Sequence, residues 1–125
     1  MTRKFSSTSV ETTLASGINS STTSMTVASG TGSALLGGVT LAAGNVDQFT
    51  VALDPDTTNE EIVFITANTA DTFTIVRGRA GTSAIAHSAG ATVKHVLTSD
   101  DLNAFEAGLD TGTGGTVSGL MLMGG

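Results

Sequence analysis

Glu61-Ile62-Val63-Phe64-Ile65-Thr66 places large apolar side chains on both faces of any extended chain it forms. Successive side chains of a strand point to opposite sides, so Ile62, Phe64 and Thr66 share one face while Val63 and Ile65 share the other. A strand that is apolar on both faces is central in its sheet and covered from two sides. Thr72-Phe73-Thr74-Ile75-Val76 follows across the polar link Ala67-Asn68-Thr69-Ala70-Asp71 and reads as its hairpin partner, with Phe73 and Ile75 continuing the core.

Working outward toward the N-terminus, residues 48–53 alternate Phe49, Val51 and Leu53 with Thr50 and Ala52, a further strand. The run Asp54-Pro55-Asp56-Thr57-Thr58-Asn59 then reverses the chain, because Pro fixes φ and Asp and Asn bond their own backbone. Residues 11–18 and 24–28 read as a hairpin across Asn19-Ser20-Ser21-Thr22, with Leu14 and Ile18 facing Met25 and Val27. Residues 30–44 are rich in small side chains and read as a loop or a short bulged edge. Before them, a polar Ser/Thr stretch carrying isolated Phe5 and Val10 reads as an extended arm rather than a core element, of a kind that often docks on neighbours.

In the other direction, Arg77-Gly78-Arg79-Ala80-Gly81-Thr82 breaks the strand, residues 83–90 form an excursion containing His87, and residues 91–97 resume strand character. Thr98-Ser99-Asp100-Asp101 supplies a helix N-cap with acids in the first turn, and Leu102, Phe105 and Leu109 follow at helical spacing. A short helix ending at Gly108 is expected. After the linker Asp110-Thr111-Gly112-Thr113-Gly114-Gly115, the apolar Val117, Leu120, Met121, Leu122 and Met123 are expected to pack back or to insert between subunits, the second reading being favoured, rather than stay in water. The expected fold is therefore all-β, a small antiparallel sandwich or barrel with one short C-terminal α-helix and extended N- and C-terminal arms. Residues 1–10 form the arm, 11–109 the β-rich domain and 110–125 the tail.

Composition narrows function. At 125 residues the chain builds one core, and with 39% apolar residues, many of them Ala and Val, that core is thin. Threonine and serine dominate the polar positions; branched Thr suits strands better than helices. A net charge of −6 argues against nucleic-acid and anionic-membrane partners, which need clustered Lys and Arg. The absence of cysteine removes disulfides, thiolate metal sites and a cysteine nucleophile. Met1-Thr2-Arg3-Lys4 leads into Ser and Thr rather than an apolar run, so no signal peptide is expected, and no stretch is long enough to span a bilayer as a helix.

Tests for chemistry return little. His87 and His95 are the only histidines, and neither has a nucleophile elbow or a third metal ligand at a recognisable spacing. Turn hydrogen bonding for His87 and a half-exposed strand position for His95 are the plainer readings. Asp54, Asp56, Glu60 and Glu61 are the densest carboxylates, but a twelve-residue calcium loop would need Gly and Glu where Asn59 and Ile65 stand, so a solvated acidic turn is expected. Arg77 and Arg79, at alternate positions, are read as projecting on one side toward nearby acids. Phosphate-cradling and dinucleotide patterns are missing. No catalytic, cofactor or metal residue is assigned, and no small-molecule substrate.

Three stretches together resemble a module of tailed-bacteriophage virion proteins, among them minor tail proteins, tail-fibre attachment domains and head or collar fibres. They are Glu61-Ile62-Val63-Phe64-Ile65-Thr66; Phe73-Thr74-Ile75-Val76-Arg77-Gly78-Arg79-Ala80-Gly81-Thr82; and Ala86-His87-Ser88-Ala89-Gly90-Ala91-Thr92-Val93. Thr12-Thr13-Leu14-Ala15-Ser16-Gly17-Ile18-Asn19 with Ser24-Met25-Thr26-Val27 is similar to the opening hairpin of such modules. The likeness covers roughly residues 11–105, with motifs of moderate specificity, and residues 30–44 are longer and richer in Gly than the pattern. It implies a non-enzymatic virion protein that attaches or adapts a tail, collar or head fibre through protein–protein assembly. Its partners would be itself, as a trimer or another cyclic oligomer, and other virion proteins, with Phe5, Val10, Val117, Leu120, Met121, Leu122 and Met123 at the interface. A capsid decoration protein is the structural alternative. A carbohydrate-binding adhesin module would expect exposed Trp or Tyr, which this chain lacks.

Overall fold

The computed structural model describes residues 2–99 and 101–103. Their elements run β1 (Thr2–Lys4), β2 (Thr12–Thr13), β3 (Ser24–Thr26), α1 (Gly32–Leu36), β4 (Asp47–Leu53), β5 (Glu61–Thr69), β6 (Thr72–Arg79) and β7 (Thr92–His95). The chain is mostly β. One sheet takes the order β2-β7-β4-β5-β6-β3, all pairs antiparallel, while β1 joins β4 in parallel.

The central position expected for residues 61–66 holds: β5 lies between β4 and β6 and is buried from Glu61 through Thr66. Val63 and Ile65 join Phe49, Val51, Leu53, Phe73, Ile75 and Val93 in the core. Each such fully buried side chain contributes about 1.5–3 kcal/mol relative to exposure. The opposite face of β5 is covered differently. Phe64 lies beneath two guanidinium groups, Arg3 at 5.6 Å and Arg79 at 5.0 Å from its ring centroid. The hairpin is tighter than expected, since Thr69 pairs with Thr72 and leaves only Ala70 and Asp71 in the turn.

Residues 11–18 and 24–28 do not form the expected two-stranded pair. Strand β2 pairs with β7 and β3 with β6, and the two meet only at a Leu14–Val27 bridge flanked by Ala15 N–H to Thr26 O and Ala28 N–H to Thr13 O, both 2.9 Å. The physical reason is that each edge strand gains a longer ladder from the central hairpin's flanks than from its sequence neighbour. The sheet therefore curls until its two edges touch. Leu14, Ile18, Met25 and Val27 are buried as expected.

Residues 30–44 are not simply a loop, because Gly32–Leu36 forms α1, which seats Leu35 and Leu36 in the core. Its start is held from outside: the Asp71 carboxylate accepts the Gly30 and Gly32 N–H groups at 2.9 Å each. Those two bonds, Gly30 first, draw the Asp71 carboxyl below its usual range. Gly37 ends the helix at φ +56, where a side chain would also strike Ser6 and Ser9.

The N-terminal arm lies along its own sheet. After β1, the Ser6 and Thr8 hydroxyls donate to Gly37 O, Ser9 donates to Leu35 O, and Val10 N–H donates to Ala34 O. At the other end Thr98 and Asp101 close a reciprocal cap: Asp101 N–H donates to Thr98 Oγ1 and Thr98 N–H to Asp101 Oδ2, each 3.1 Å. Residues 99 and 101–103 are helical, as the N-cap predicts. The expected continuation to Gly108 and the tail lie outside the described residues.

Candidate functional site

A carboxylate buried inside a strand must be paired and hydrogen-bonded, or it would give up its charge. Glu61 meets that demand with five donors. Arg77 Nε donates to Oε2 and Arg77 Nη2 to Oε1, each at 2.8 Å, the two-pronged geometry that a guanidinium fork makes with a carboxylate. Gly78 N–H reaches Oε2 at 2.9 Å, Ile85 N–H reaches Oε1 at 3.1 Å, and His87 Nε2 lies 2.9 Å from Oε1. The other ring nitrogen of His87 lies 2.8 Å from Asp54 Oδ2.

Arg77 extends the cluster into three loops. Its Nη1 donates to Asn19 O at 2.6 Å and to Thr22 O at 2.8 Å, and its Nη2 also donates to Ile85 O at 2.6 Å. His87 adds a backbone pair with Ile18, N–H to O in both directions at 2.9 Å. The turn at 19–22, the turn after β4 and the excursion at 80–91 are thus all fastened to one carboxylate.

Local backbone geometry makes this possible. Gly78 sits at φ +59, and the β5–β6 register shifts by one residue between the Ile62–Arg79 and Phe64–Val76 pairs. That bulge reverses the alternation of β6. Arg77 therefore keeps the inward side of Phe73 and Ile75, whereas Arg79 crosses to the face of Ile62 and Phe64. The expectation that both arginines project on one side is corrected by this single glycine. The solvated acidic turn is corrected in part: Asp56 and Glu60 are exposed as expected, but Glu61 is fully buried and Asp54 is tied to His87.

Burial pushes the Glu61 carboxyl up, but the bonds from Arg77, His87, Gly78 and Ile85 outweigh it and bring it down from 4.5 to about 2. It stays ionised throughout the neutral range. His87 is likewise buried, at 4% exposure, rather than engaged in surface turn bonding.

His95 belongs to a separate place. It stacks on Phe49 with centroids 4.0 Å apart, donates from Nδ1 to Thr50 O at 2.7 Å and accepts Ser6 N–H on Nε2 at 3.3 Å. Beside it opens an apolar cleft of about 470 Å³ walled by Phe5, Leu97 and Leu102. Of the expected interface residues, Phe5 borders this cleft and Val10 is exposed outside it; Val117, Leu120, Met121, Leu122 and Met123 lie outside the described residues. Among the described residues no group of three or more His, Cys, Asp or Glu side chains is arranged to hold a metal ion, and no helix is long and apolar enough to cross a membrane.

Sequence reasoning treated Glu61, Arg77 and His87 one at a time and missed their convergence. A signal was present: a charged residue opening an otherwise apolar central strand demands a partner. No protein-family model matches this chain, and a search of curated proteins finds no match either.

Proposed function

We propose that this chain is a non-enzymatic structural protein of a tailed-bacteriophage virion, an attachment or adaptor module of a tail, collar or head fibre that acts by assembling with copies of itself and with other virion proteins. The observation that carries the reading is the Glu61 cluster. Four of its members come from the three stretches on which the resemblance rests, Glu61 from the first, Arg77 and Gly78 from the second and His87 from the third, while Asp54 and Ile85 join from outside them. Their chemistry is spent on each other and on loop backbone, which makes the shared pattern the signature of a scaffold. The curled sheet is then a small barrel, its edges joined at Leu14 and Val27. A buried platform that fixes three loops, together with exposed apolar residues near the chain's ends, suits a protein completed by assembly.

Light scattering coupled to size-exclusion chromatography tests the reading. The full chain is expected at the mass of a trimer or another small cyclic oligomer, and a chain lacking residues 116–125 at lower mass. A monomer at every concentration, with and without those residues, overturns self-assembly.

A further inference from the structure

We propose that the cleft between Phe5, Leu97 and Leu102 receives the apolar tail, residues 117–123, of a second copy of this chain; the inference rests on the self-assembly reading above. Its three walls are 43%, 58% and 48% exposed, respectively, an unusual concentration of uncovered large side chains in a chain with so few of them. Of the polar groups that line it, Asp101 already holds Arg3, Thr50 and Thr98, His95 is bonded through both ring nitrogens and the Ser6 hydroxyl donates to Gly37 O, which leaves Ser7 and mainly apolar contact for an occupant.

The chain outside the described residues supplies a matching occupant. Residues 116–125 carry no charge, so their burial strands no ion, and Met121 and Met123 are unbranched side chains that adapt to irregular surfaces. The apolar run follows Asp110-Thr111-Gly112-Thr113-Gly114-Gly115, which gives it reach and freedom of direction.

The six-residue linker, even fully extended, spans roughly 20 Å. That reach serves a neighbour's cleft as well as the chain's own, and the self-assembly reading selects the neighbour's. Giving a tail and receiving one is a head-to-tail contact, which makes a cyclic oligomer where its rotation closes.

The test uses two full-length variants. Leu97→Asp spoils the cleft at an exposed position, and Leu120→Asp with Leu122→Asp spoils the tail. Circular dichroism and melting confirm that both fold. Each is expected to self-associate at least about tenfold more weakly than the native chain. Mixed together they are expected to form a heterodimer, because the mixture holds one intact cleft and one intact tail. Variants that stay oligomeric where the native chain is oligomeric overturn the tail-in-cleft contact while leaving self-assembly in place. Variants that weaken association but fail to complement also overturn it, and so does a tail in its own cleft, seen as unchanged mass with a lowered melting temperature in both. A native chain that is monomeric throughout removes the underlying reading as well.

Discussion

Glu61 and Asp101 are both wholly buried carboxylates that hold an arginine, yet they sit on opposite faces of one sheet and fasten different parts of the chain. Glu61 lies on the inward side, with Val63 and Ile65. It takes a two-pronged guanidinium that is itself 7% exposed, two backbone N–H groups and a histidine. Asp101 lies outside, over Thr50, and takes Arg3 at 2.6 Å through one nitrogen, with that arginine's side chain 24% exposed. The inner cluster gathers loops around a core; the outer one ties the first strand to the start of the C-terminal helix.

The difference bears on both energy and function. A dry, fully satisfied pair cannot lose one member cheaply, because the survivor is left charged and buried. A pair with one wetter partner can relax into solvent. The inner cluster therefore reads as permanent architecture. The outer face, where the cleft opens beside Asp101, is where the molecule can still gain by contact with another chain.

Breaking the inner cluster should have the largest effect. Glu61→Gln removes the charge that Arg77 pairs and His87 bonds and is expected to destabilise the fold by about 3–5 kcal/mol, read as a lower urea midpoint with an unchanged slope. Arg77→Lys should fall most of the way with it, since an ammonium cannot span Asn19, Thr22, Ile85 and the carboxylate together. Asp101→Asn should cost less, about 1–3 kcal/mol, and should free the N-terminal strand first, seen as faster amide exchange at Thr2–Lys4 than in β5. The smallest effect sharpens the comparison from the other side. Gln48, on the face of Thr50, is buried with its Nε2 unpaired, the one such side-chain atom among the described residues. Gln48→Met is expected to be neutral or to stabilise by up to about 1 kcal/mol in thermal melts.

How much of this was legible depends on how local the cause is. Period-two alternation in residues 48–53, 61–66 and 72–76 is a property of each strand alone, so the central sheet could be read directly. The Thr98 cap was legible for the same reason. Helix α1 was not, because five residues with a glycine at their start carry too little helical pattern, and the helix is held by Asp71, which lies far along the chain. The inner cluster was hidden twice over. Its members stand as far apart as Asp54 and His87, and the side to which Arg77 points depends on a bulge that only the β5–β6 register reveals.

The central claim, that the Glu61 cluster is a structural keystone and not a seat of chemistry, is tested most directly by unfolding free energy against pH. The folded-state Glu61 carboxyl stands at about 2, below its ordinary 4.5. Its contribution is thus fully present above 4.5 and is lost as pH falls toward 2, a change of about 3 kcal/mol by linkage. The native chain should lose that much more stability than Glu61→Gln when urea titrations at about pH 6 are compared with those at about pH 2.5. A Gln variant as stable as the native chain at the higher pH, with the same loss on acidification, would contradict the account.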